Sequence, residues 1–529
     1  MKNYIPALLF LFIFPGYLFC QTDPALKYAE TITQAALKKQ LTIVASAEME
    51  GRETGTEGQR KAADYIQNQF KDFGLQPPSS LQGYLQYYPL RKDTLIPRLL
   101  KIGKEKYTFG KDYIVNAGSG DNDEFKSRRI VFAGYGISDK NYDDYSGKDV
   151  KGKVVIIFSG EPKVDGKFLI SETEKPSAWS SYNISKKAIL AGQKGAVALL
   201  LINTNLDTFP ARLTSNSRIS NLHLARPGNI SDEKVPVIQI TPAVAKKVFG
   251  IQESAGILNK AGSHLPLNEI VFNMKLKTIL DYKKITIASE ASNVIGYIEG
   301  SDKKNEYVFL TAHYDHLGKR GNDIYYGADD DGSGTVGVIE MAEAFARAKQ
   351  DGFGPRRSIV FMTVSGEEKG LLGSEYYSGH PVFPLANTTV DLNTDMVGRI
   401  DPGRKIGDST NYVYVIGDDK LSTDLKPIST SVNNQYTRLE LDYKFNDPAD
   451  PDRIYYRSDH YNFAKKGVPI IFFFDGIHKD YHRPTDTVDK INFDLMEKRV
   501  RFIFLTAWNI ANKDLMLKRD LALPNESRN

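Results

Sequence analysis

The chain has 529 residues, 41% of them hydrophobic and 25% charged, a composition ordinary for a globular protein that excludes a disordered polymer. The length exceeds what one hydrophobic core usually organises, so two or three domains are expected. Lys and Arg (69) nearly balance Asp and Glu (65), and no basic run interleaved with aromatics is present to track a phosphate backbone, which excludes nucleic acid as a partner.

The N-terminus reads Met1-Lys2-Asn3-Tyr4 and runs into an apolar stretch from Ile5 to Phe19, broken by Pro6 and Pro15. A positive start followed by a short apolar region predicts a secretory signal peptide over residues 1–20, too short and broken for a spanning helix. The mature protein is then expected to be exported, periplasmic or extracellular. Cys20 is the only cysteine, and a lipid anchor on it is the competing reading; the bulky Tyr17-Leu18-Phe19 before it argues against that. No later apolar run reaches spanning length.

From Pro24 to about Pro78 the pattern is helical. Ala36, Leu37, Leu41 and Val44 recur at helical spacing, as do Ala62, Tyr65, Ile66 and Phe70, with Gly74 as a cap. Glu50-Gly51-Arg52 and Gly55-Thr56-Glu57-Gly58 between them read as a turn-rich link in a simple helix pair. Between about Ser127 and Leu265 the texture changes to short β-type runs: Ile130-Val131-Phe132, Val154 to Phe158, Ala198 to Ile202 and Val235 to Ile238, with a helix from Lys186 to Gln193 before the third. This spacing predicts a β-rich module over residues 127–265, inserted in a main domain built from 21–126 and 266–529. His223 and His264 lie in it without acidic partners at metal spacing and read as ordinary histidines.

From about Asn293 strands and helices alternate: Tyr307 to Ala312, a helix from Thr335 to Lys349, Ser358 to Val364, Val390 to Asp395, Pro469 to Phe474, and a terminal helix from about Asp494 to Ala511. The fold class is therefore α/β, a sheet with helices on both faces. In such sheets the binding crevice lies beyond the carboxyl ends of the strands. His313, Glu367 with Glu368, and Asp395 fall at or just past such ends, and His482 sits in the loop after Phe474.

These are nitrogen and carboxylate donors suited to a hard-to-borderline metal. Asp315, two residues after His313, is placed to fix the imidazole tautomer. Asp329-Asp330-Asp331 opens a glycine-rich turn, and three adjacent carboxylates repel one another unless a cation offsets them. Gly332-Ser333-Gly334-Thr335-Val336-Gly337 matches a dinucleotide-loop pattern but stands beside those aspartates and follows no buried strand, so it is rejected as a cofactor loop. In Glu367-Glu368 the adjacent side chains diverge, so that one can bind metal while the other acts as general base. Tyr481-His482 supplies a phenol and a second imidazole. Asp459 and His460 are placed near the substrate pocket.

In this order the motifs resemble the co-catalytic di-zinc aminopeptidase family, over most of the chain, with the insert similar to a protease-associated domain and the sheet expected to be mixed and largely parallel. The resemblance implies a metallo-aminopeptidase acting on peptide substrates with two zinc ions per chain. It implies Asp330 as the bridging ligand, His313 and Asp395 completing one zinc, and Glu368 and His482 the other. Glu367 is then the general base and Tyr481 the phenol that hydrogen-bonds the tetrahedral oxyanion. It also implies a strained peptide after the bridging aspartate. Asn393-Thr394-Asp395 departs from the family, where many members have an apolar residue before the aspartate. Three alternatives stay open: a carboxypeptidase on the same scaffold, with Arg453 and Arg457 as cationic site; a glutaminyl cyclase relative with one zinc; and a catalytically inactive binding protein.

Overall fold

The computed structural model describes residues 23–116, 124–180, 184–204, 206–225, 235–270 and 272–523. The expected signal peptide and Cys20 lie outside the described residues. In chain order the main body is built from α1 (Gln34–Val44), α2 (Glu57–Asp72), β1 (Leu85–Ile102), β2 (Thr278–Ile298), β3 (Lys303–His313), α3 (Gly334–Gln350), β4 (Arg357–Val364), α4 (Leu372–Gly379), β5 (Thr388–Thr394), β6 (Tyr412–Ile416), β7 (Glu440–Asp442), α5 (His460–Ala464), β8 (Ile470–Phe474) and α6 (Phe493–Asn512).

The strands lie in the order β1-β2-β4-β3-β5-β8-β6-β7. β4, β3, β5 and β8 are parallel, with β2 antiparallel to β4 and β6 antiparallel to β8. Successive side chains on a strand face opposite ways. Val308, Leu310 and Ala312 of β3 accordingly join the core under α1, α2, α3 and α6, while Phe309 joins the other face, packed with Tyr377 of α4 and Phe463 of α5. A sheet covered on both faces needs continuous apolar strands, and β5, β6 and β8 are buried at every position. The chain is thus a mixed α/β sheet flanked by helices.

A second sheet, formed within residues 113–274, has four parallel strands: Ile130–Phe132, Val154–Phe158, Ala198–Ile202 and Val237–Ile240. Helices Pro242–Phe249 and Ile251–Gly262 lie on the side of one of its cores, and Ile184–Gln193 lines the other. The chain leaves the main body through β1 and returns through β2, and the two strands are paired antiparallel from Leu85↔Val294 to Ile102↔Thr278, with one bulge between Pro97 and Leu99.

Candidate metal centre and active site

Four parallel strands deliver the chemistry. β3 ends on His313; Glu367 and Glu368 form a short turn two residues after β4; Asp395 directly follows β5; and Tyr481 and His482 come from the loop after β8. Asp330 lies in the buried turn 328–333 that opens α3. His313 Nε2 is 3.2 Å from Asp330 Oδ1, 3.5 Å from Asp395 Oδ1 and 3.9 Å from Glu367 Oε2. On the other side His482 Nε2 is 3.1 Å from Asp330 Oδ2 and 3.2 Å from Glu368 Oε2. The two oxygens of Asp330 therefore face two different imidazoles, each with its own second carboxylate.

The three adjacent aspartates divide their work. Asp331 binds the backbone N–H groups of Gly334, Met396 and His313. Asp329 accepts from Gly398 N at 2.7 Å and lies 3.2 Å from His478 Nε2. Asp330 places its two oxygens between His313 and His482, its backbone N–H donating to Asp486 Oδ2 at 3.2 Å, while Asp331 also lies close to His313 and Asp395. The Asp330–Asp331 peptide is cis. The glycine-rich pattern from Gly332 to Gly337 is wholly buried and offers no surface to a phosphate.

Charge in this pocket is strongly coupled to geometry. Burial opposes a charge on His313, yet Asp395, Glu367, Asp315 and Asp330 outweigh it and hold the imidazole well above its ordinary range. Burial likewise works against His482, but Asp330 and Glu368 raise it to about 10. Burial and Asp330 push Glu368 up, and His316 and His482 pull it down to about 2. Glu367 is pushed well up by burial, against His313, with Glu368 and Asp395 adding to the effect. Burial also raises the Tyr481 phenol. Its ring stacks on His482 with centroids 3.8 Å apart, and its oxygen accepts a hydrogen bond from Arg457 Nη2 at 3.2 Å.

The supporting residues are arranged partly as expected. The Asp315 carboxylate stands 3.7 Å from His313 Nδ1, whereas the Asp315 carbonyl is the nearer acceptor at 3.1 Å. The carboxylate instead accepts from Thr54 Oγ1 at 2.6 Å and Glu367 N at 3.2 Å. Asp459 accepts from Ser374 Oγ at 2.5 Å, and burial, opposed by His313 and Ser374, raises it to about 7. His460 turns away from the cluster: its Nε2 lies 2.8 Å from the Tyr455 carbonyl, its ring stacks on Phe472, and burial lowers it to about 3. The cleft over the cluster is walled by Met396, Ile454, Phe472, Phe474 and Ile477, with Arg457 at its lining.

Two groups escaped the sequence reading. Arg52, in the segment read as a plain link between helices, is fully buried. Its guanidinium donates to the carbonyls of Tyr314 (2.7 Å), Val44 (2.8 Å), Tyr326 (2.8 Å) and Gly327 (2.9 Å). It ties the strand end carrying His313 to the turn carrying Asp330. His316 is equally buried, and its Nδ1 lies 2.8 Å from Glu368 Oε1.

Residues 293–507 match the sequence profile of Peptidase family M28. That stretch is similar to the peptidases of this family. The chain also shares its fold with an aminopeptidase from Aneurinibacillus sp. strain AM-1, with a TM-score of 0.53 at 18% identity, covering 95% of this chain and 100% of that one. Among curated proteins, Leucine aminopeptidase 1 of Penicillium rubens is 30% identical over 193 residues, 35% of this chain and 47% of the relative. A vacuolar membrane protease of Tuber melanosporum is 33% identical over 111 residues, 20% of this chain and 11% of the relative. The chain thus spans 11% and 47% of the lengths of these two curated relatives. The vacuolar membrane protease overturns the expectation of a protein exported to the periplasm or extracellular space. That expectation rested on a positive start and the apolar stretch of residues 5–19, a pattern that reports affinity for a membrane system and not which system it is. Among the described residues no helix is long and apolar enough to cross a membrane.

Proposed function

We propose that the chain is a zinc-dependent aminopeptidase whose site holds two ions bridged by Asp330. One observation carries this reading: the Asp330 oxygens lie 3.2 Å from His313 Nε2 and 3.1 Å from His482 Nε2, with Asp395 and Glu368 as the outer carboxylates. Imidazole nitrogen with carboxylate oxygen is a donor set that suits zinc. The donors also fit the ions by what they lack, since buried Asp330 Oδ2 and Glu368 Oε1 have no hydrogen-bond partner. When bound, the two cations acidify a water and polarise the scissile carbonyl.

The chain's own residues do the rest. Glu367, held by its backbone N–H on Asp315, takes the proton of the attacking water and passes it to the leaving amine. Tyr481, protonated by virtue of its burial, donates to the oxyanion as the carbonyl carbon becomes tetrahedral. The apolar cleft walls receive the side chain of the residue to be released. The aminopeptidase reading is supported by the curated leucine aminopeptidase. Residues 127–265 are read as an insert of the protease-associated type, carried on the β1–β2 ribbon.

A carboxypeptidase is favoured by one feature, the Arg457 guanidinium at the cleft beside Tyr481. A panel of amino-acid p-nitroanilides and N-acetylated peptides, run with elemental analysis of the purified protein, separates the readings. Two zinc ions and cleavage of the p-nitroanilides are expected. Cleavage of N-blocked peptides alone refutes the aminopeptidase, and a single tightly held zinc refutes the bridged pair.

A further inference from the structure

The implied family pattern gives each metal position one imidazole. We infer that His316 is a further ligand, so that one position has two imidazoles and two carboxylates while the other has one imidazole and two carboxylates. This rests on the reading of the site as a metal centre.

Four observations converge. His316 is fully buried, and neither Nδ1 nor Nε2 has a hydrogen-bond partner. A buried imidazole without partners is costly unless something else binds it. Its Nδ1 lies 2.8 Å from Glu368 Oε1 and 3.8 Å from Asp330 Oδ2, and Glu368 Oε1 also lacks a hydrogen-bond partner, so the short approach is not an aligned hydrogen bond. Donors ~2.0–2.1 Å from a tetrahedral zinc stand roughly 3.3 Å from one another, and the distances from His316 Nδ1 (2.8 and 3.8 Å) and from His482 Nε2 (3.2 and 3.1 Å) to Glu368 and Asp330 bracket that edge. His482 closes the set from the opposite side, its ring centroid 6.0 Å from that of His316.

The backbone is built to put the ring there. His316 N donates to the carbonyl of Arg52, and His316 bridges Glu53 as an isolated parallel pair. Across the ring, Gly327 has φ +55°, and a Cβ on it would fall 2.5 Å from His316 Cγ. A glycine is required at that point both by the backbone conformation and by the imidazole it faces.

The consequence is a chemically unequal pair. The position formed by His316, His482, Glu368 and Asp330 would offer four protein donors, the mark of a tightly held ion. The position formed by His313, Asp395 and Asp330 has three and keeps an open corner, next to Glu367, where water and the substrate carbonyl enter. The four-donor position should fill first and empty last.

X-ray absorption on the full chain loaded with one zinc equivalent decides the matter without a mutation. Two imidazoles per zinc are expected; one imidazole per zinc overturns the proposal. In His316→Ala the count should fall to one, and zinc retention against a chelator should weaken about 100-fold or more, beyond the usual effect of a residue that merely orients a ligand. An unchanged count in that variant overturns the assignment. A protein that binds no zinc at all removes the metal-centre reading itself, an outcome distinct from failure of His316 alone.

Discussion

Arg52→Met tests how the site is held together. The substitution keeps an unbranched side chain of similar length but removes the donors that four carbonyls share: those of Tyr314, Val44, Tyr326 and Gly327. Each carbonyl left unpaired in the interior costs about 1–3 kcal/mol. Burial of the guanidinium works in the opposite direction, since desolvation is the largest influence on Arg52, and the variant no longer bears it. The charge is not isolated, however: Asp315, Asp330, Asp331 and Asp486 act on it together, and removing one side of a buried charge set costs roughly 3–5 kcal/mol. The net expectation is a loss of about 3–5 kcal/mol, confined to the main body. The two tryptophans allow this to be read directly. Trp508 lies in α6 against Phe345 of α3, and Trp179 lies in the core of the second sheet. In urea unfolding followed by fluorescence, with Trp179→Phe isolating one signal and Trp508→Phe the other, the Trp508 transition should move and the Trp179 transition should stay. A Trp508 transition displaced by less than about 1 kcal/mol, or equal displacement of both, would refute the clamp.

Three further outcomes are expected. Glu367→Gln should lower kcat by roughly two to four orders of magnitude while zinc content by elemental analysis is unchanged; metal loss in this variant would make Glu367 a ligand instead. Tyr481→Phe should lower kcat by roughly two to three orders of magnitude with KM little altered, because the phenol acts on charge that exists only in the transition state; a rise in KM at constant kcat would place it in ground-state binding. Burial, opposed by the Thr311 hydroxyl and aided by Asp459, raises Asp391 to about 8. The fold therefore prefers its neutral form, and this contribution to stability is complete below about pH 4 and lost as pH rises toward about 8. Asp391→Asn should flatten the fall of Tm between pH 5 and pH 9, and parallel wild-type and variant curves would show that Asp391 ionises freely.

The candidate site was legible as a cluster because its residues stand at strand ends. A buried parallel strand is a continuous apolar run, so the first polar residue after it is conspicuous, and His313, Asp395 and the Glu367-Glu368 pair all stand there. His316 was not legible, because a second histidine three residues past a strand end gives no sign that its ring also turns inward; room for it is left by Gly327, eleven positions on. Arg52 was hidden for a different reason. Its partner Tyr314 is 262 residues away in sequence, and an arginine between two helices reads as solvated until the chain reversal that buries it is known. Asn393, which departs from the family pattern, has a local explanation: it bonds Thr311 Oγ1 at 2.9 Å and Ser458 Oγ at 2.9 Å, so its polarity anchors the loop that carries Arg457. His460 was drawn toward the pocket by its neighbour Asp459, although adjacent residues at a helix start diverge, and the imidazole went to the Tyr455 carbonyl.

The β1–β2 ribbon has a practical corollary. Since the outgoing and returning strands are zipped residue by residue, Lys92 opposite Ile287, the ladder itself marks where the chain can be shortened. A two-residue turn joining those positions would restore a plain hairpin and release residues 93–286 as one block. The cut is not free of consequence, because Leu224 from that block packs with Tyr88, Leu90 and Leu372, and a trimmed protein would have to give those side chains a new cover.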